Sequence, residues 1–153
     1  MSESTTTKWY LVAVAVLAGF AIWIVIGGAG LFLLRTIWSS YSLAEPTKAY
    51  TLPMLLARLT VGVVCTIAAG AVATACAKGA RVASYWLGVS LILLSAPIHL
   101  PIYLPFYFRS SWADYPLWYH VTFLVPLMPL TIFGGCLMTR LQLRTGKKPK
   151  MTR

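Results

Sequence analysis

Acidic residues are almost missing from this chain: Glu3, Glu45 and Asp114 are the only three in 153 residues, against 13 Lys and Arg. None lies inside the apolar runs described below, so a carboxylate proton relay of the pump or antiporter kind has nothing to run on. Histidine is limited to His99 and His120. Two such ligands suit zinc poorly, because it normally takes at least three from the protein. Cysteine is scarce too. Cys65 and Cys76 stand about 16 Å apart along one helix, and only Cys76 and Cys136 share a level, on the side expected to face a reducing compartment. All three are read as buried apolar residues. Cys-x-x-Cys, a glycine-rich phosphate loop, a nucleophile elbow and His-Glu-x-x-His are absent, which removes the usual signatures of redox, nucleotide and hydrolytic chemistry. The chain is expected not to be an enzyme.

What is present is hydrophobic length. Residues 9–34, 59–77, 82–108 and 115–139 carry no Asp, Glu, Lys or Arg. At about 1.5 Å per residue, even the shortest run reaches roughly the 30 Å of a hydrocarbon core. Hydrophobic residues make up 59% of the chain, charged residues 10%, and the mean hydropathy is +0.76. The expected fold is all-α, an integral membrane bundle of four transmembrane helices forming one membrane domain over residues 1–153. The helices are expected at about 9–34, 54–77, 82–105 and 115–139, with a basic tail at 140–153. The first run exceeds the roughly 7–15 residues of a signal-peptide core and is read as a retained helix.

Short loops rich in lysine and arginine stay cytoplasmic. Arg140, Arg144, Lys147, Lys148, Lys150 and Arg153 follow the fourth run, and Lys78 and Arg81 join the second to the third. The other two loops offer Arg35 with Glu45 and Lys48, and Arg109 with Asp114. Both termini are therefore expected in the cytoplasm (N-in/C-in). The net charge of +10 is concentrated beside the membrane, where it meets anionic lipid. Membrane lipids are the expected partner of the tail, and nucleic acid is not.

Within the spans, Gly62, Thr66, Gly70 and Thr74 recur every four residues and make one nearly smooth helix-packing face. Such faces let helices approach closely in lipid. Span one, with Gly27, Gly28 and Gly30, is the expected neighbour, and another chain is the alternative. Arg58 is the one charge near the start of a span. It is expected to snorkel to the headgroups or to pair with Glu45 or Asp114. Pro126 and Pro129 sit at the centre of span four, which must kink or unwind there.

His99 lies near the outer end of the third span and His120 about as far from the same surface in the fourth, so the two could face each other. Antiparallel helices with one histidine each are the minimum arrangement for a bis-histidine haem b, or for one ligand to a bacteriochlorophyll-type pigment. Pro97, Pro101 and Pro105 disturb the helix around His99. An interfacial histidine bonded to a loop or water is the plainer reading. Aromatics crowd both loops on the side away from the tail: Trp38, Tyr41 and Tyr50 in the first, and Tyr103, Phe106, Tyr107, Phe108, Trp112, Tyr115, Trp118 and Tyr119 around Arg109 and Asp114 in the second. Most are read as the interfacial belt.

The small-residue run 62–77, then Lys78-Gly79-Ala80-Arg81, an apolar third span, and Tyr115-Pro116-Leu117-Trp118-Tyr119 leading into a proline- and glycine-bearing fourth span resemble a loose group of small four-helix bacterial inner-membrane proteins with no assigned activity. The resemblance covers about residues 59–140 and implies a bacterial inner membrane. Three functions stay open: an accessory or scaffold subunit packing within a larger integral membrane complex, such as a respiratory or photosynthetic one; a haem- or pigment-binding protein using His99 and His120; and a homo-oligomeric transporter or channel. The first is favoured by minimal loops, a smooth helix face and the lack of catalytic groups.

Overall fold

A computed structural model describes residues 9–99 and 115–145. Within them the chain is helical and contains no strand. The elements are α1 (Trp9–Ile37), α2 (Ser39–Ala44), α3 (Leu52–Cys76), α4 (Val82–His99), α5 (Leu117–Leu124) and α6 (Leu127–Arg144). α1, α3, α4 and the α5–α6 pair are four spans long and apolar enough to cross a membrane. Large hydrophobic side chains such as Leu17, Val25, Phe32, Leu93 and Val125 face outward. That arrangement is costly in water and natural where the surrounding solvent is lipid.

Several boundaries differ from the expected ones, for physical reasons. Span one runs on to Ile37, since nothing breaks the helix at Arg35. Span two starts at Leu52 because Pro53 falls in the first turn, where its missing N–H would have no partner anyway. It ends in a tight reversal: Gly79 N–H donates to Thr74 O at 2.8 Å, with Lys78 at φ 54° and Gly79 at φ 89°. The glycine makes the second left-handed position free of strain. Beyond His99 the expected third span passes outside the described residues.

Span four divides into two helices at Val125 and Pro126. Pro126 precedes α6 and Pro129 lies in its first turn, so both rings sit where helix amides lack intrahelical acceptors. The carbonyl ladder is interrupted there and resumes with Leu130 N–H donating to Pro126 O at 2.9 Å. At its far end α6 stays helical to Arg144, into the segment expected to be tail.

α3 is the central helix, packed most extensively against α1 on one side and α6 on the other. Its contact with α6 is set by glycines from both partners. A Cβ on Gly70 would collide with the Thr131 backbone, and one on Gly134 with the Ile67 carbonyl. Gly19 of α1 is similarly tight, its Cβ position lying 3.0 Å from Ala69 O and Ala73 Cβ. Gly88 brings α4 onto α6 at Thr131 and Met128. The resulting core is built of Ala15, Ala69, Ala73, Ala83, Leu87, Leu91 and Leu127. Small side chains dominate it because close backbone approach is a main source of packing energy in lipid.

The four-residue repeat on α3 therefore serves three neighbours and not one. Four residues turn a helix by about 400°, so the stripe drifts about 40° per step. Gly62 faces Phe123 of α5, Thr66 accepts the Trp23 Nε1–H of α1 at 3.1 Å, and Gly70 packs on α6. Thr74 is buried beside Gly135 and Ser84, where a Cβ on Gly135 would fall within 2.6 Å of both hydroxyl oxygens. Of the expected partners on α1, Gly30 abuts Val61, while Gly28 has no atom within 4 Å of its Cβ position.

Candidate functional site: a caged arginine, a histidine pair and a side cleft

Arg58, the two histidines and a group of tyrosines gather at the end of the bundle that carries α2. Arg58, in the second turn of α3, points its Nη1 at two hydroxyls, donating to Tyr41 Oη at 2.8 Å and to Tyr50 Oη at 2.9 Å. The guanidinium carbon lies 5.1 Å from the Tyr50 ring centroid and 5.6 Å from that of Tyr115. Tyr50 stacks on Tyr115 at 5.6 Å, and Tyr115 on Tyr119 at 5.1 Å. Thus α2, the 45–51 connection and the start of span four all close on one cation. Taking a charge out of water is costly unless dipoles replace the lost hydration. Phenolic oxygens and ring faces do so here.

The expectation that Arg58 snorkels is corrected, since it is only 9% exposed. Glu45, expected as its partner, is engaged by Arg35, with Nε to Oε2 at 2.6 Å and Nη2 to Oε1 at 2.7 Å. That bidentate clasp pins α2 to the end of α1. Asp114 lies outside the described residues, as do Pro101, Pro105, Tyr103, Tyr107 and Trp112. Tyr41 is fully buried. Burial pushes its hydroxyl up to about 12 against the opposing pull of the Arg58 charge. It stays a neutral phenol at any physiological pH, with an oxygen ready to accept.

His99 and His120 do come together. Their Nδ1 atoms are 3.1 Å apart, and the rings meet edge to face at 5.3 Å between centroids. Such a contact needs one nitrogen bearing hydrogen and the other bare. His99 also stacks on Phe123 at 4.5 Å, and both histidines are buried. For a haem b, the ligating nitrogens would sit about 2 Å from the metal on either side, with the macrocycle between the rings. The direct hydrogen bond occupies that space, so the rings would have to part to admit an iron. A bacteriochlorophyll magnesium takes a single imidazole, so it would use the Nε2 of one ring and could leave the Nδ1 contact in place. Among the described residues no group of three His, Cys, Asp or Glu converges on a metal position.

Beside this cluster lies a cleft of ≈ 370 Å³ between α1, α3, α4 and α5. Arg58, His99 and Tyr119 line its polar end, and Trp23, Cys65 and Phe123 its apolar depth. Ile24, Gly28 and Ile98 line it and are themselves exposed, so it opens sideways between α1 and α4.

The sequence names each of these residues but not their association. In sequence the tyrosines look like belt anchors, because aromatics at headgroup depth usually are. The signal that could have linked them is their number around the one charge near the start of a span, given that a buried guanidinium demands several acceptors. The chain matches no known family, no curated protein and no solved structure, which leaves this geometry as the pointer to function.

Proposed function

We propose that this chain is a non-enzymatic accessory or scaffold subunit of a larger integral membrane complex, seated in a bacterial inner membrane with both termini in the cytoplasm. The observation that carries the reading is the position of α1. Of its 29 residues only Val12, Ala15 and Gly19 are buried. The helix is held along one edge, and a broad apolar flank that includes Leu17, Ala21, Val25 and Ala29 is left outside. Alanines on an outward flank give lipid chains nothing special, whereas a second helix can approach them closely.

The topology is supported by charge. Lys78, Arg81, Arg140 and Arg144 belong to the end opposite α2, as the positive-inside rule requires of the cytoplasmic side. Gln142 meets Gly79 there, a Cβ on the glycine falling 3.2 Å from Gln142 Oε1.

The test is purification of the tagged chain from its own membranes in mild detergent, followed by identification of what comes with it. The subunit reading expects a defined set of larger, unlike membrane proteins in fixed ratio. A pure homo-oligomer would overturn it in favour of transport, and a histidine-dependent Soret or bacteriochlorophyll band in an otherwise solitary chain would overturn it in favour of cofactor binding.

A further inference from the structure

The side cleft is polarised along the direction of the spans. Arg58 and His99 stand at its α2 end, with Ser95 about one turn deeper on α4, and the walls beyond are Trp23, Cys65 and Phe123. On α1 the wall is bare. A Cβ built on Gly28 meets nothing within 4 Å, and one on Gly27 meets only Cys65 Sγ, at 3.8 Å. The head-to-tail order of polar and apolar surface is that of a lipid lying parallel to its neighbours, and the opening faces the side where lipid would be. The guanidinium keeps its charge at all accessible pH values, and with Nη1 engaged by Tyr41 and Tyr50 it is held in place against the cleft. A fixed cation lining an otherwise apolar cleft favours an anionic head group such as a carboxylate or phosphate.

We propose that this cleft binds a lipid-derived amphiphile with an oxyanion head, carboxylate or phosphate. The head lies against Arg58 and the alkyl chain runs past Gly28 toward Trp23. From Leu31 to Trp23, α1 advances about 12 Å. The slot therefore takes the first part of a chain, and the remainder leaves through the open side. This inference stands whether or not the chain is an accessory subunit.

The test uses the full chain with Trp9, Trp38, Trp86, Trp112 and Trp118 replaced by Phe, so that Trp23 reports alone. It is titrated in neutral detergent micelles with 9,10-dibromostearate, whose bromines quench indole fluorescence on contact. The expected result is saturable quenching, reversed by stearate or dodecyl phosphate and not by stearyl alcohol. Whichever acid competes better identifies a fatty-acid or a phospholipid source. Gly28→Phe fills the bare wall without touching a packed neighbour and should weaken quenching by about tenfold or more, with an unchanged melting profile. Equal competition by stearyl alcohol would show that no head group is recognised and overturn the proposal. So would quenching that never saturates, or that Gly28→Phe leaves as it was.

Discussion

Arg58 Nη1 and Tyr41 Oη are 2.8 Å apart, joining the second turn of α3 to the six-residue helix that Arg35 and Glu45 tie to the end of α1. Tyr41 is completely buried by this contact and by Tyr50, whose ring centroid is 5.4 Å from its own. The bond is charge-assisted, and Tyr41→Phe removes only the acceptor. The variant should lose about 1.5–3 kcal/mol of stability, read as a lower melting temperature in detergent. An unchanged melting temperature would show that water or another acceptor replaces the hydroxyl at no cost.

The same phenol predicts an alkaline limit. An unfolded tyrosine titrates near 10, whereas burial holds Tyr41 near 12. As pH rises from about 10 to about 12, the unfolded chain gives up a proton that the folded chain keeps, so stability falls across that window and its full contribution is present below it. Tyr41→Phe should flatten the fall. Equal slopes in wild type and variant would mean that the hydroxyl titrates as it does in water.

Glycine substitutions should separate packed crossings from the cleft. Gly70→Leu and Gly134→Ala each drive a side chain into the backbone of the facing helix, which has no rotamer with which to yield. Both should lower the melting temperature sharply or prevent recovery of folded protein. Gly28→Ala, with open space at its Cβ, should be close to neutral. A reversed ranking would contradict the α3–α6 interlock.

The histidine pair predicts no bis-histidine haem b spectrum under haem-replete growth, because Nδ1 atoms 3.1 Å apart leave no gap for a macrocycle between the rings. A Soret band lost in both His99→Ala and His120→Ala would show that the rings separate to take iron.

The spans were legible because absence of charge over a bilayer's thickness leaves few alternatives to a membrane helix, and the break in span four because Pro126 and Pro129 remove two amide donors within four residues. The partition of the α3 face was not legible. Gly62, Thr66, Gly70 and Thr74 look like one stripe in sequence, yet 3.6-residue turns carry them round the helix to three different neighbours. Arg58 was singled out for its charge, but the acceptors that hold it are supplied by Tyr41 and Tyr50 from a loop whose fold no periodicity encodes. Glu45 meets Arg35 and not Arg58 for a related reason: α2 turns the chain back so that Arg35, ten residues away in sequence, is within reach.

The most direct test of the subunit reading is a photo-crosslinking residue placed at Val25, on the outward flank of α1, and activated in native membranes. The account predicts a discrete adduct with a larger, unlike membrane protein, stronger than the adduct from the same residue at Leu93 of α4. Adducts with lipid alone, or with a second copy of this chain, would contradict it.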